Sequence, residues 1–188
     1  PFCDWEQVAR QNRAIYLSGY LSDISAKTIV IEIEYTDGDY LEDFASYYVR
    51  CFQGYSRRCK RLHFFDLPFD DSAFDKYLTE SKQDVLDSLK DGYLGFIVVR
   101  PLPTAVVGRT VLKTYPSDSG RRQYTALKPY SANLFGVDLT ILSLAFQEQD
   151  TVLAACATVA LWSAFHKTAQ LFGTPSPRPA EITRTANN

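Results

Sequence analysis

The chain has 188 residues with 20 basic and 22 acidic side chains, a net charge of −2, 46% hydrophobic and 14% aromatic content. The balanced charge argues against a protein that coats nucleic acid, and twelve Phe with twelve Tyr argue against disorder, because so much ring surface would be buried rather than solvated. No segment reaches the roughly 20 uninterrupted apolar residues needed to cross a bilayer, and PFCDWEQVARQNR has no apolar core of a signal peptide. The expectation is a soluble domain, or two small ones, without a membrane partner. Absence of Met, even as initiator, points to a processed or excised piece. Cys3, Cys51, Cys59 and Cys156 are too sparse for a disulfide scaffold, so free thiols in a reducing, cytoplasmic compartment are expected.

In chain order, Trp5 to Leu17 follows helical spacing. Thr28 to Thr36 alternates Ile29, Ile31, Ile33 and Tyr35 with Val30, Glu32 and Glu34, which predicts a half-buried strand. Leu41, Phe44, Tyr48 and Cys51 predict a helix over Tyr40 to Phe52. Arg58 to Phe65 reads as a second strand, followed by a helix capped by Asp70 or Asp71 and running to the Asp91-Gly92 stop. Tyr93 to Arg100 is nearly continuous apolar sequence closed by Pro101 and Pro103, as in a strand buried on both faces. Arg109 to Tyr115 and Thr140 to Phe146 are further extended segments, separated by an irregular region. Thr151 to Phe172 is apolar nearly all round in its first three turns, predicting a central buried helix, and TPSPRP predicts a polyproline-like exit. The pattern is α+β.

Chemistry concentrates at Gln147-Glu148-Gln149-Asp150 and the helix that follows, which contains Cys156. The start of a helix lowers a thiol pKa because unpaired backbone N–H groups stabilise the thiolate. A side-chain amide upstream adds a donor for an acyl-transfer oxyanion, and Ala154, Ala155 and Ala157 leave room for a substrate backbone. At these residues the sequence resembles papain-like cysteine peptidases, particularly bacterial branches in which a Gln-Asp loop leads into the nucleophile helix. The resemblance implies Cys156 as nucleophile and Gln149 as the oxyanion amide, with Gln147 as the alternative, and a base supplied by a His on a later strand. The family's step of six residues from Gln to Cys falls here on Asp150, and Gln149 is seven before Cys156.

His166 is ten positions beyond Cys156, roughly 15 Å along the same helix, too far to be its base. His63 fits only a permuted order of elements and reads better as a structural strand histidine. Cys51, Cys59 and His63, with Cys3, make C-x7-C-x3-H, a poor match to zinc knuckles, so no metal or other cofactor is expected. Arg57, Arg58, Lys60 and Arg61 read as a solvated strand face that Asp37, Asp39, Glu42 and Asp43 can neutralise, which leaves nucleic acid an improbable partner.

The expected organisation is an α+β module over residues 1–138, then the start of a papain-like region over 139–188 that continues beyond the chain. The expected function is part of a cysteine peptidase or related acyl transferase, acting on a peptide or protein substrate with a His from outside the chain. The expected partner is the remainder of the same protein or another chain. The alternative is a non-catalytic binding or regulatory module in which the Cys156 helix serves only as core.

Overall fold

A computed structural model describes residues 11–51, 53–79, 83–116, 120, 123–148 and 156–186. Its elements are α1 (Asn12–Asp23), β1 (Thr28–Tyr35), α2 (Gly38–Ser46), a 3-10 turn (Tyr48–Arg50), β2 (Cys59–Phe65), α3 (Asp71–Thr79), α4 (Gln83–Asp91), β3 (Tyr93–Val99), β4 (Val107–Leu112), β5 (Lys128–Leu134), β6 (Val137–Ser143), α5 (Cys156–Phe172) and α6 (Pro179–Ala186). β1 to β4 form an antiparallel sheet in chain order, and β5 with β6 forms a separate antiparallel hairpin. This is the mixed α+β architecture that the patterning predicts.

Each face of the main sheet has its own cover. On one face Tyr20 of α1 and Ile24 just after it lie over Phe64, Leu94, Ile97 and Leu112, with the Tyr20 hydroxyl donating to the Lys113 carbonyl at 2.8 Å. On the other, Phe96, Val98 and Val111 pack with Tyr130 and Ala132 of the hairpin, Trp162 of α5, Ile182 of α6 and Tyr40 of α2. Phe65, Leu89, Tyr93, Leu134 and Leu139 close the end of this second layer. Burying such aromatic and aliphatic side chains stabilises by about 1.5–3 kcal/mol each, which is what holds these helices and the hairpin to one sheet.

A bulge at Gly95 sets which β3 side chains reach which layer. Phe96 pairs with His63, Gly95 with Phe64 and Tyr93 with Phe65, so two β3 residues, Leu94 and Gly95, occupy the step of one on β2. Tyr93 and Phe96 therefore share the hairpin face although three residues apart, while Leu94 turns to the α1 face. Gly95 has φ +114°, and a Cβ there would lie 2.0 Å from the Val111 carbonyl oxygen.

The half-buried strand expected over Thr28 to Thr36 is Thr28–Tyr35, with Ile29, Ile31 and Ile33 on its exposed side at 52%, 51% and 66%, because their β2 partners Phe64 and Leu62 lie on the α1 face and α1 covers only the strands further in. Other expectations are revised. The single helix expected up to Asp91 is two helices, α3 and α4. The helix expected through Phe52 stops at Ser46 and gives way to the 3-10 turn. Lys128–Leu134, within the region read as irregular, is strand β5. α5 buries one stripe, Thr158, Trp162, His166 and Ala169, and leaves Leu161, Leu171 and Phe172 exposed, so it is a surface helix rather than a central one. TPSPRP leads into packed structure: α6 buries Ala180 and Ile182. The boundary expected between residues 138 and 139 falls inside β6, and one core cluster extends from Tyr40 to Ile182.

Candidate functional site

Cys156 is the first described residue of α5; its side chain and all of Gln149 lie outside the described residues. Gln147 is half-buried, beside a small pocket it shares with Arg13, Val107 and Glu148. There Arg13 donates to Glu148 at 2.5 Å, and the other Glu148 oxygen accepts from the Val107 N–H at 3.0 Å. These contacts tie α1 to the end of β4.

Neither histidine is paired with a described thiol. His166 is buried at 6% exposure, its ring edge-on to Trp162 at 4.4 Å and tilted against Tyr130 at 5.5 Å, and neither ring nitrogen has a hydrogen-bond partner. Burial, reinforced by Lys128 and Arg109, pulls its pKa down to about 4. His63, fully buried, engages both nitrogens: Nε2 lies 2.9 Å from Glu32 and Nδ1 3.0 Å from the Tyr93 hydroxyl. Of the described thiols, Cys51 is exposed, and Cys59 is buried, which pushes its pKa up to about 12.

The His63 contacts belong to a polar network that the alternation of β1 conceals. Glu32 points to the hairpin face, where it also accepts from Arg61, and Arg61 donates onward to the Asn133 carbonyl at 2.7 Å. The Arg61 guanidinium lies 4.2 Å from the Tyr35 ring centroid. Burial raises the Glu32 pKa, but the bonds and charges of Arg61 and His63 outweigh it and leave the pKa lowered. Burial lowers that of His63, with Glu32 partly offsetting. The network pins β1 to β2 and holds the hairpin tip against the sheet.

Beyond this network lies a groove of about 590 Å³ along the outer edge of β1. Its floor is Thr28, Ile29, Val30 and Ile31; its walls are Phe69, Phe74 and Leu78 from α3 and its approach, and Phe135 from the β5–β6 turn. Phe135 stands 63% exposed at φ 48°, followed by Gly136 at φ 91°, so the tight hairpin turn itself presents the ring. Phe69 stacks on Phe74 with centroids 5.7 Å apart, and Phe74 meets Phe135 edge-on at 6.1 Å. Asp70, Asp71 and Asp75 complete the lining, and Asp70 caps α3 by accepting from the Ala73 N–H at 2.8 Å. Among the described residues no strand pairs with the outer edge of β1. At the opposite edge, β4 is bridged by Phe146, whose N–H and carbonyl both bond to Thr110. A row of backbone donors and acceptors beside an aromatic trough is suited chemically to receiving another extended chain.

Sequence reasoning missed this groove. Alternation gave a half-buried strand without saying which side is covered, and helical spacing placed Phe74 and Leu78 on a helix without saying what they face.

The basic cluster also resolves differently from its expected pairing with Asp37, Asp39, Glu42 and Asp43. Arg61 is buried on Glu32, Arg58 lies 3.8 Å from Glu34, and the Arg57 guanidinium sits over the Phe44 ring at 5.3 Å. Asp37 instead accepts from Arg109 at 2.5 Å, and Glu42 from Arg178 at 2.7 Å. Among the described residues no group of three or more His, Cys, Asp or Glu is placed to hold a metal ion, and no helix is long and apolar enough to cross a membrane. No family model, curated protein or solved structure matches the chain.

Proposed function

We propose that this chain is a protein-interaction module that receives an extended polypeptide segment along the outer edge of β1. The observation that carries the reading is the β1 edge, which no described strand pairs, beside a trough walled by Phe69, Phe74, Leu78 and Phe135, with Ile29 and Ile31 exposed on the same edge. In such docking, backbone hydrogen bonds to the edge supply affinity, and alternate side chains of the guest enter the trough and supply specificity. The Glu32–His63–Arg61 network keeps the floor in register, so the edge is presented pre-ordered and little ordering entropy remains to oppose binding.

Selection from a random twelve-residue peptide library on the immobilised chain tests this. Enriched peptides should lose binding to an Ile31→Glu variant and keep it to a Phe172→Glu variant, whose change lies on exposed α5. Peptides indifferent to Ile31 would remove the reading.

A second reading, acyl transfer with Cys156 attacking a carbonyl and Gln149 or Gln147 holding the oxyanion, rests on the Gln-Asp loop before α5. It needs a His other than His166, whose ring is enclosed by Trp162 and Tyr130. Alkylation with iodoacetamide near pH 7 separates it from the first. A nucleophilic Cys156 should react faster than exposed Cys51, and Cys59 should react slowest because its thiol ionises only at about pH 12. A Cys156 rate at or below that of Cys51 would identify a structural thiol.

A further inference from the structure

We infer that the segment received by the β1 groove is one in which apolar residues alternate with Lys or Arg. The inference rests on the docking reading above and adds the chemistry of the guest. Three carboxylates, Asp70, Asp71 and Asp75, line the groove, and no basic side chain does. All three are exposed and lie at or within two turns of the start of α3, so the charge bordering the groove is negative. The four β1 residues of the floor span roughly 13 Å, which matches about four paired guest residues at the rise of an extended chain.

Within those four residues the guest's side chains divide by parity. One set lies over Val30, Phe69 and Phe74 and must be apolar, since those residues pack together in the closing core cluster. The other set points away from that core, and because the only charged groups lining the groove are the aspartates, a cation on the guest gains attraction while an anion is repelled. The same argument disfavours a second copy of β1 as guest. TIVIEIEY carries Glu32 and Glu34 and no base, so self-pairing would bring carboxylates toward carboxylates.

Three dye-labelled eight-residue peptides test this by fluorescence anisotropy on the full chain: one alternating Val with Lys, one Val with Glu, one Val with Gln. The Lys peptide should bind about tenfold tighter than the Glu peptide at low ionic strength, with Gln between, because exposed pairs contribute modestly but several act together. The preference should shrink as salt is added. Asp71→Asn with Asp75→Asn, both at exposed positions, should bring the Lys peptide close to the Gln peptide without loss of fold. If all three peptides bind alike and Ile31→Glu abolishes all of them, docking stands and the basic guest is overturned. If none binds, both fall. Self-association of the free chain that Ile31→Glu abolishes would overturn the inference in favour of a second copy.

Discussion

Replacing Gly95 with Ala should destabilise the protein by about 4 kcal/mol, combining a strained backbone with overpacking against β4. The added Cβ would sit 2.0 Å from the Val111 carbonyl oxygen and 2.9 Å from the Leu112 Cα, and both are backbone, so no side-chain rotation relieves the contact. The bulge would have to open. Tyr93 would then leave the face where its hydroxyl meets His63 Nδ1, so the damage would extend to the buried network. Urea unfolding followed by tryptophan fluorescence measures the loss. A midpoint shift worth less than about 1 kcal/mol would mean that β3 accepts a side chain there and that the bulge is not what aims Tyr93.

Acid should destabilise the protein through His166, and His166→Phe should remove much of that sensitivity. The folded state holds the His166 pKa at about 4 against 6.5 unfolded, so between those values the unfolded chain binds more protons and stability rises with pH. The contribution is complete above about pH 6.5 and is lost as pH falls to about 4, amounting to roughly 3 kcal/mol by the usual conversion. Phe fills a similar volume between Trp162 and Tyr130 and leaves no polar atom without a partner, so the variant should also gain about 1–3 kcal/mol near pH 7. His63, also lowered by burial, keeps a share of the slope in the variant. Unfolding midpoints of both proteins from pH 7 to 4 check this; parallel curves would show that His166 does not titrate in that window.

The legible parts of the fold are those whose local pattern had one physical solution. Tyr93 to Arg100 predicts a strand buried on both faces, and Tyr93–Val99 is one, since a continuous β-branched and aromatic run ending at Pro101 fits little else. The second strand is similarly close, Cys59–Phe65 against Arg58 to Phe65. The outer strand was legible as a strand but not in its orientation. Alternation separates two sides without saying which meets the core, and here Arg61 and His63 on β2 demand a carboxylate opposite them, so Glu32 turns in and the isoleucines turn out. β5 was not legible because Pro129, Ser131 and Asn133 are poor strand formers, although Tyr130, Ala132 and Leu134 alternate inward. The docking groove is assembled from β1, α3 and a hairpin turn about a hundred residues from β1, a proximity that no local spacing encodes.

The asymmetry between the two edges of the main sheet limits how far any association can grow. A fibril needs every added unit to offer a fresh edge after its first is used, as a chain reaction needs each step to regenerate the reactive end. Here the β4 edge is occupied at Thr110 by the chain's own Phe146, so pairing through β1 consumes the only open side of the main sheet among the described residues. Growth terminates after one step: a guest peptide yields a single complex, and two chains meeting edge to edge yield a closed pair. The bridge to Phe146 is therefore a chain stopper, and loosening it would convert a self-limiting contact into one capable of propagation.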